Sequence, residues 1–103
     1  MKVTLIVSLY INSGCQAEFE QFESAAATIM GRYGGRIERR LVCAQLDNQP
    51  SEVHIVTFPG GESFERYRGD ADLRALSELR SRAISATTIW HGTDAPAFGQ
   101  PDV

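Results

Sequence analysis

EVHIVTF (Glu52–Phe58) alternates Val53, Ile55 and Thr57 with His54, Val56 and Phe58, and neither set is polar enough to face water along its whole length. That is the pattern of an interior strand. Pro59-Gly60-Gly61 stops it abruptly. The residues that follow, Glu62 to Ala83, have helical period, so the strand feeds a helix that folds back over one of its faces. The other face needs a different cover.

The rest of the chain is bounded by its size and composition. With 103 residues it is read as one domain with a single core. Hydrophobic residues make up 43% and charged residues 22%, which suits a globular protein and excludes wholesale disorder. The net charge is −3, and the only basic grouping is Arg36, Arg39 and Arg40, so nucleic acid is not expected as a partner. Lys2 is the one lysine beside nine arginines, which suit planar anion contacts and interfacial ion pairs, although a codon bias gives the same excess. The apolar run after Lys2 is too short to span a bilayer, so no membrane segment and a cytoplasmic location are expected. Cys15 and Cys43 lack the spacing of a disulfide framework and are read as free thiols.

In chain order, Lys2–Ile11 places Val3, Leu5, Val7, Leu9 and Ile11 on one apolar strand face and Thr4, Ile6, Ser8 and Tyr10 on a mixed one. Ser13 and Gln16 form a predicted capping box for a helix running to about Tyr33, with Phe19, Phe22, Ala26, Ile29, Met30 and Tyr33 along its apolar stripe. Gly34-Gly35 ends that helix. Arg36–Val42 reads as a strand with Ile37 and Leu41 on one face and Glu38 and Arg40 on the other, followed by a loop from Cys43 to Ser51. Beyond the central strand, a short helix Glu62–Arg68 breaks at Gly69, Asp70 caps a second segment to about Ala83, and Ile84–His91 forms the last strand. The domain is thus expected to span residues 1–92. Residues 93–103 are expected to be a flexible C-terminal tail with Phe98 as its one large anchor.

The resulting order, β-α-β-β-α-β, is the ferredoxin-like α+β pattern: an antiparallel four-stranded sheet with two helices on one face and the first and third strands central. On this reading the uncovered face carries Ile6, Tyr10, Val56 and Phe58, an apolar surface that marks an interface and predicts a homodimer. The strand LIVSLYI, the helix FEQFESAA, the turn YGGR (Tyr33–Arg36), the strand end VTFP (Val56–Pro59) and FERY followed by LRALSELR together resemble the dimeric α+β-barrel superfamily, most of all its bacterial domain-of-unknown-function family 1330. The resemblance implies a fold and a homodimer, without an agreed activity. Leu41-Val42 stands where that family often has a glycine pair.

For chemistry, an estimated register on the helix-free face sets His54 beside Ser8 or Tyr10 and Arg40, with Glu38 and Thr4 on the same face. His54 is the side chain suited to proton transfer near neutrality, and Arg40 would stabilise a carboxylate, enolate or phenolate. The predicted catalytic set is therefore His54, Arg40 and Tyr10, with Ser8, Glu38 and Phe58 as ligand-binding residues. The competing reading is that His54, Arg40 and Glu38 satisfy one another without any ligand. His54 and His91 are 37 residues apart with no metal-site pattern around them, and no cofactor or metal is expected. Two functions follow. One is a cofactor-independent enzyme on a small organic anion or phenol, of the isomerase or monooxygenase type known in the superfamily; the other is a non-catalytic dimeric binding or stress-response module.

Overall fold

The computed structural model describes residues 1–99, and the end of the predicted tail, residues 100–103, lies outside the described residues. Its elements are β1 (Val3–Ile11), α1 (Gln16–Gly31), β2 (Arg36–Val42), β3 (Glu52–Phe58), α2 (Gly61–Arg68), α3 (Ala71–Arg74), α4 (Ser77–Ala83) and β4 (Ile84–Gly92). The sheet is antiparallel with order β2-β3-β1-β4, so β1 and β3 are central as the apolar alternation of both strands requires.

The second helical region is three short helices where two segments, divided at Gly69, were expected. Gly69 ends α2, and the Asp70 carboxylate accepts hydrogen bonds from the Asp72 and Leu73 amides to start α3. A further break at Ala75-Leu76 separates α4. The Ser13–Gln16 capping box does not form: Cys15 is the N-cap of α1 without a side-chain bond, and Gln16 donates to Glu20 instead. Gly34, at φ 75°, takes the left-handed turn after α1, and Gly35 packs so close to Phe58 and Met30 that a β-carbon would collide with both.

The faces of β1 are as predicted, but those of β3 are reversed. The pairing is Leu5↔Val56, Val7↔His54 and Leu9↔Glu52, which puts Glu52, His54, Val56 and Phe58 under the helices. The helix-free face receives Val53, Ile55 and Thr57. Both sets are apolar enough to be buried, so alternation alone could not orient the strand, and an error of one residue in register exchanges its faces. A bulge between Ile37 and Arg39 does the same to half of β2: Ile37 pairs with Val56 and Arg40 with His54, whereas Leu41 pairs with Val53. Ile37 and Leu41 therefore do not share a face, and neither do Glu38 and Arg40.

The core is divided along the strands. One cluster, at the Leu9 end, holds Leu9, Phe19, Phe22, Ala26, Ala83 and Ile84; the other, at the Leu5 end, holds Leu5, Met30, Val56, Phe58 and Phe64. Val7 touches both clusters. The level of Val7 and His54 is therefore the seam where helix–sheet packing is least complete.

Candidate functional site

A cavity of about 390 Å³ opens at that seam, between the covered sheet face and all four helices. Val7, His54 and Ile89 form its floor, and the small side chains Ala26 and Ala27 of α1 leave room above it. Phe22, Met30, Phe58 and Phe64 supply apolar walls. The polar groups at its edge are Glu23 from α1, Tyr67 from α2 and several arginines of the short helices. Its lining is an apolar body with a few polar groups.

His54 is 3% exposed and lies between two carboxylates, with Nε2 at 2.9 Å from Glu52 Oε1 and Nδ1 at 3.3 Å from Glu23 Oε1. Burial pulls its pKa down, but the bonds to Glu23 and Glu52 outweigh this and hold it above the ordinary 6.5. Each of its ring nitrogens thus faces a carboxylate oxygen. Glu52 is fully buried, and its two oxygens accept a bidentate pair from Arg40 Nε and Nη2, each at 2.7 Å. Burial pushes Glu52 upward, while the hydrogen bonds from Arg40 and His54 pull it further down, below its ordinary value of 4.5. The result is a continuous row, Glu23–His54–Glu52–Arg40, running from the cavity to the outer edge of β2. The bulge in β2 makes it possible, because without it Arg40 would point to the other face.

The predicted site residues separate into two groups. His54, Arg40 and Phe58 come together on the covered face, with Arg40 beside His54 as expected but bonded to Glu52. Ser8, Tyr10 and Glu38 lie on the opposite face. Tyr10 pairs with Ala86 of β4, and Glu38 accepts a hydrogen bond from Thr57 at 3.0 Å. They cannot meet a ligand held by His54 on the other side of the sheet. The sequence reading missed Glu23, Glu52 and Tyr67. Glu52 carried a signal, since a carboxylate two residues before His54 on a buried strand shares its face. Burial above all, then the charge of Glu23, pushes the Tyr67 hydroxyl up to about 12, so it stays a hydrogen-bond donor. Among the described residues, no three His, Cys, Asp or Glu side chains are grouped to hold a metal ion.

The helix-free face carries Ile6, Tyr10, Leu41, Val53, Ile55 and Trp90; Leu41 is 40% and Trp90 53% exposed. The apolar uncovered face expected from the sequence is present, with Val53 and Ile55 in place of Val56 and Phe58. No helix is long and apolar enough to cross a membrane among the described residues.

The fold is shared with solved structures of little sequence similarity. SnoaB, a cofactor-independent oxygenase from Streptomyces nogalater, superposes with a TM-score of 0.70 at 18% identity over 96% of this chain and 98% of that one. A DABB-family protein with a ferredoxin-like fold from Mesorhizobium loti gives 0.66 at 13%, over 92% and 98%. A dimeric ferredoxin-like protein of unknown function from Thermobifida fusca gives 0.64 at 12%, over 89% and 90%. No protein-family model matches the sequence, and no curated protein matches it. At these identities the likeness is one of fold alone: the chain has the ferredoxin-like α+β architecture.

Proposed function

We propose that this chain, as a homodimer paired through its helix-free sheet faces, binds a small organic anion or phenol in the helix–sheet cavity and removes an activated proton from it without a cofactor. The observation that carries the reading is the unfilled seam between the two core clusters, with a row of charge, buried at His54 and Glu52, ending at its edge. The bacterial family of unknown function that the sequence resembles belongs to the same proposal, as does the division into a domain of residues 1–92 and an appended tail. β4 ends at Gly92 and Phe98 is fully exposed, which supports that division.

The geometry changes which residue takes the proton. Both nitrogens of His54 are engaged, so it has no free lone pair with which to act as a base. Glu23 lines the cavity, and its Oε1 receives His54, which leaves Oε2 to accept a proton from bound substrate. His54 is a positioning residue that fixes Glu23 and compensates its charge; Arg40 acts through Glu52, one step further back. Tyr67 donates a hydrogen bond to the substrate oxygen on which negative charge develops. A positioned base of this kind contributes about 10²–10⁴ in rate. The resulting carbanion or phenolate is either reprotonated as an isomer or oxidised by dioxygen.

A second reading is favoured by the same closed row: with both His54 nitrogens satisfied inside the protein, the chain would be a binding module without turnover. Solvent deuterium exchange separates the two. Ligands found by thermal shift should acquire deuterium at a carbon conjugated with the ionised oxygen (α to an enolate, ortho or para to a phenolate) with the native protein and not with Glu23→Gln. Ligand binding without exchange would favour the binding module, and no stabilising ligand in a broad panel of phenols and organic anions would remove the site.

A further inference from the structure

The class of molecule that fits the cavity can be narrowed, and this step rests on the reading above. Charge is found on two sides of the cavity. On the β3 side stand Glu23 and His54. On the other, each of the three short helices contributes an arginine from its last turn: Arg68 from α2, Arg74 from α3 and Arg80 from α4. The breaks after Arg68 and Arg74 bring three helix ends to the same opening. A helix dipole accounts for an arginine in a last turn, but not for three of them lining one cavity.

The three are not equivalent. Arg68 is ion-paired to Glu65 at 3.2 Å and lies 5.5 Å from the Phe64 ring. Arg80 donates to Thr87 Oγ1 at 2.8 Å, which fixes its guanidinium against β4 while leaving other N–H groups unused. Arg74 takes part in none of the ion pairs among the described residues. Thr87 pairs with Leu9, and Leu9 pairs with Glu52, so the Arg80 anchor lies two strand spacings, roughly 10 Å, from the row of Glu52 and His54. Aromatic and apolar side chains line the space between.

We infer that the cavity is built for a flat aromatic hydroxy acid. Its carboxylate is held by Arg74 and Arg80, its ring lies among Phe22, Met30 and Phe58, and its hydroxyl meets Tyr67 and Glu23. The two-ended separation of charge gives the ligand one orientation, with the group to be deprotonated at Glu23. Guanidinium forks match a carboxylate in two parallel hydrogen bonds, which a neutral amide cannot reproduce.

The test uses hydroxynaphthoate and its uncharged carboxamide as probes, titrated calorimetrically into the native protein, an Arg74→Gln/Arg80→Gln double variant and a cavity-filling Ala27→Phe variant, each checked for native circular dichroism. The carboxylate should bind about tenfold more tightly than the carboxamide, and the arginine variant should abolish that difference. Equal binding of the two probes, removed in both cases by Ala27→Phe, would leave the cavity site standing and overturn the carboxylate inference. An undiminished preference in the arginine variant would overturn it as well. Failure of both probes to bind, or carboxylate binding that ignores Ala27→Phe, would reject the cavity site and this inference with it.

Discussion

Glu52→Gln is the substitution that bears hardest on the buried row. In the native protein the Glu52 carboxylate, 1% exposed, takes two 2.7 Å bonds from Arg40 and one 2.9 Å bond from His54. The amide keeps the shape but loses the charge, and its NH₂ group opposes a donor on one side. Breaking a fully buried pair costs about 3–5 kcal/mol. Arg40 is half exposed and can turn to water, so the expected loss is smaller, about 2–3 kcal/mol. Urea unfolding at pH 7 and fixed protein concentration measures it, with the m-value as a check that the native state is otherwise unchanged. The same variant removes one of the two carboxylates that raise the His54 pKa, so its imidazole should titrate at lower pH in NMR than in the native protein. A loss below about 0.5 kcal/mol, the range of ordinary surface substitutions, with an unmoved His54 titration, would refute the row as a coupled unit.

The pH dependence follows from the same groups. His54 has a raised folded-state pKa, so its contribution is complete below the ordinary 6.5 and is lost as pH rises through the folded value. Glu52 is lowered, so its contribution is present above 4.5 and is lost as pH falls through its folded value. Thermal unfolding should therefore show a plateau between those limits, and His54→Leu should flatten the alkaline side; an unchanged alkaline slope would exclude His54 as its source. Ile55→Glu puts a charge on the helix-free face and should convert a dimer into a species of 11.3 kDa by light scattering, whereas a stable dimer would place the interface elsewhere. Truncation after Gly92 should leave a folded protein, because Phe98 packs on nothing in the subunit; loss of soluble protein would contradict that.

The fold was legible because its information is local. The alternation of β1, the stripe of α1, the Gly34 turn and the Asp70 cap each have a sequence signature, and together they leave one topology. The site was less legible because it depends on register. His54 and Arg40 were recognisable as candidates, but their partners follow from one strand offset and one bulge, neither of which is encoded in periodicity. The reversed face of β3 carried Tyr10, Ser8 and Glu38 into the predicted site and kept Glu23 out of it. Phe58 is where an aromatic residue proved a wall of the cavity rather than part of an interface. It packs on Phe64 and Tyr67 with centroids 5.3 and 5.5 Å away.

The presence of a working cavity in the seam between the two core clusters can be read from a single side chain. The protein has two methionines: Met1 is fully exposed, and Met30 lines the cavity. With ¹³C-labelled methionine methyl groups, an aromatic ligand entering the cavity should move the Met30 signal by its ring current and leave Met1 in place. Ala27→Phe should abolish the shift. A ligand that binds while Met30 stays still, or that moves Met1 alone, would contradict the account.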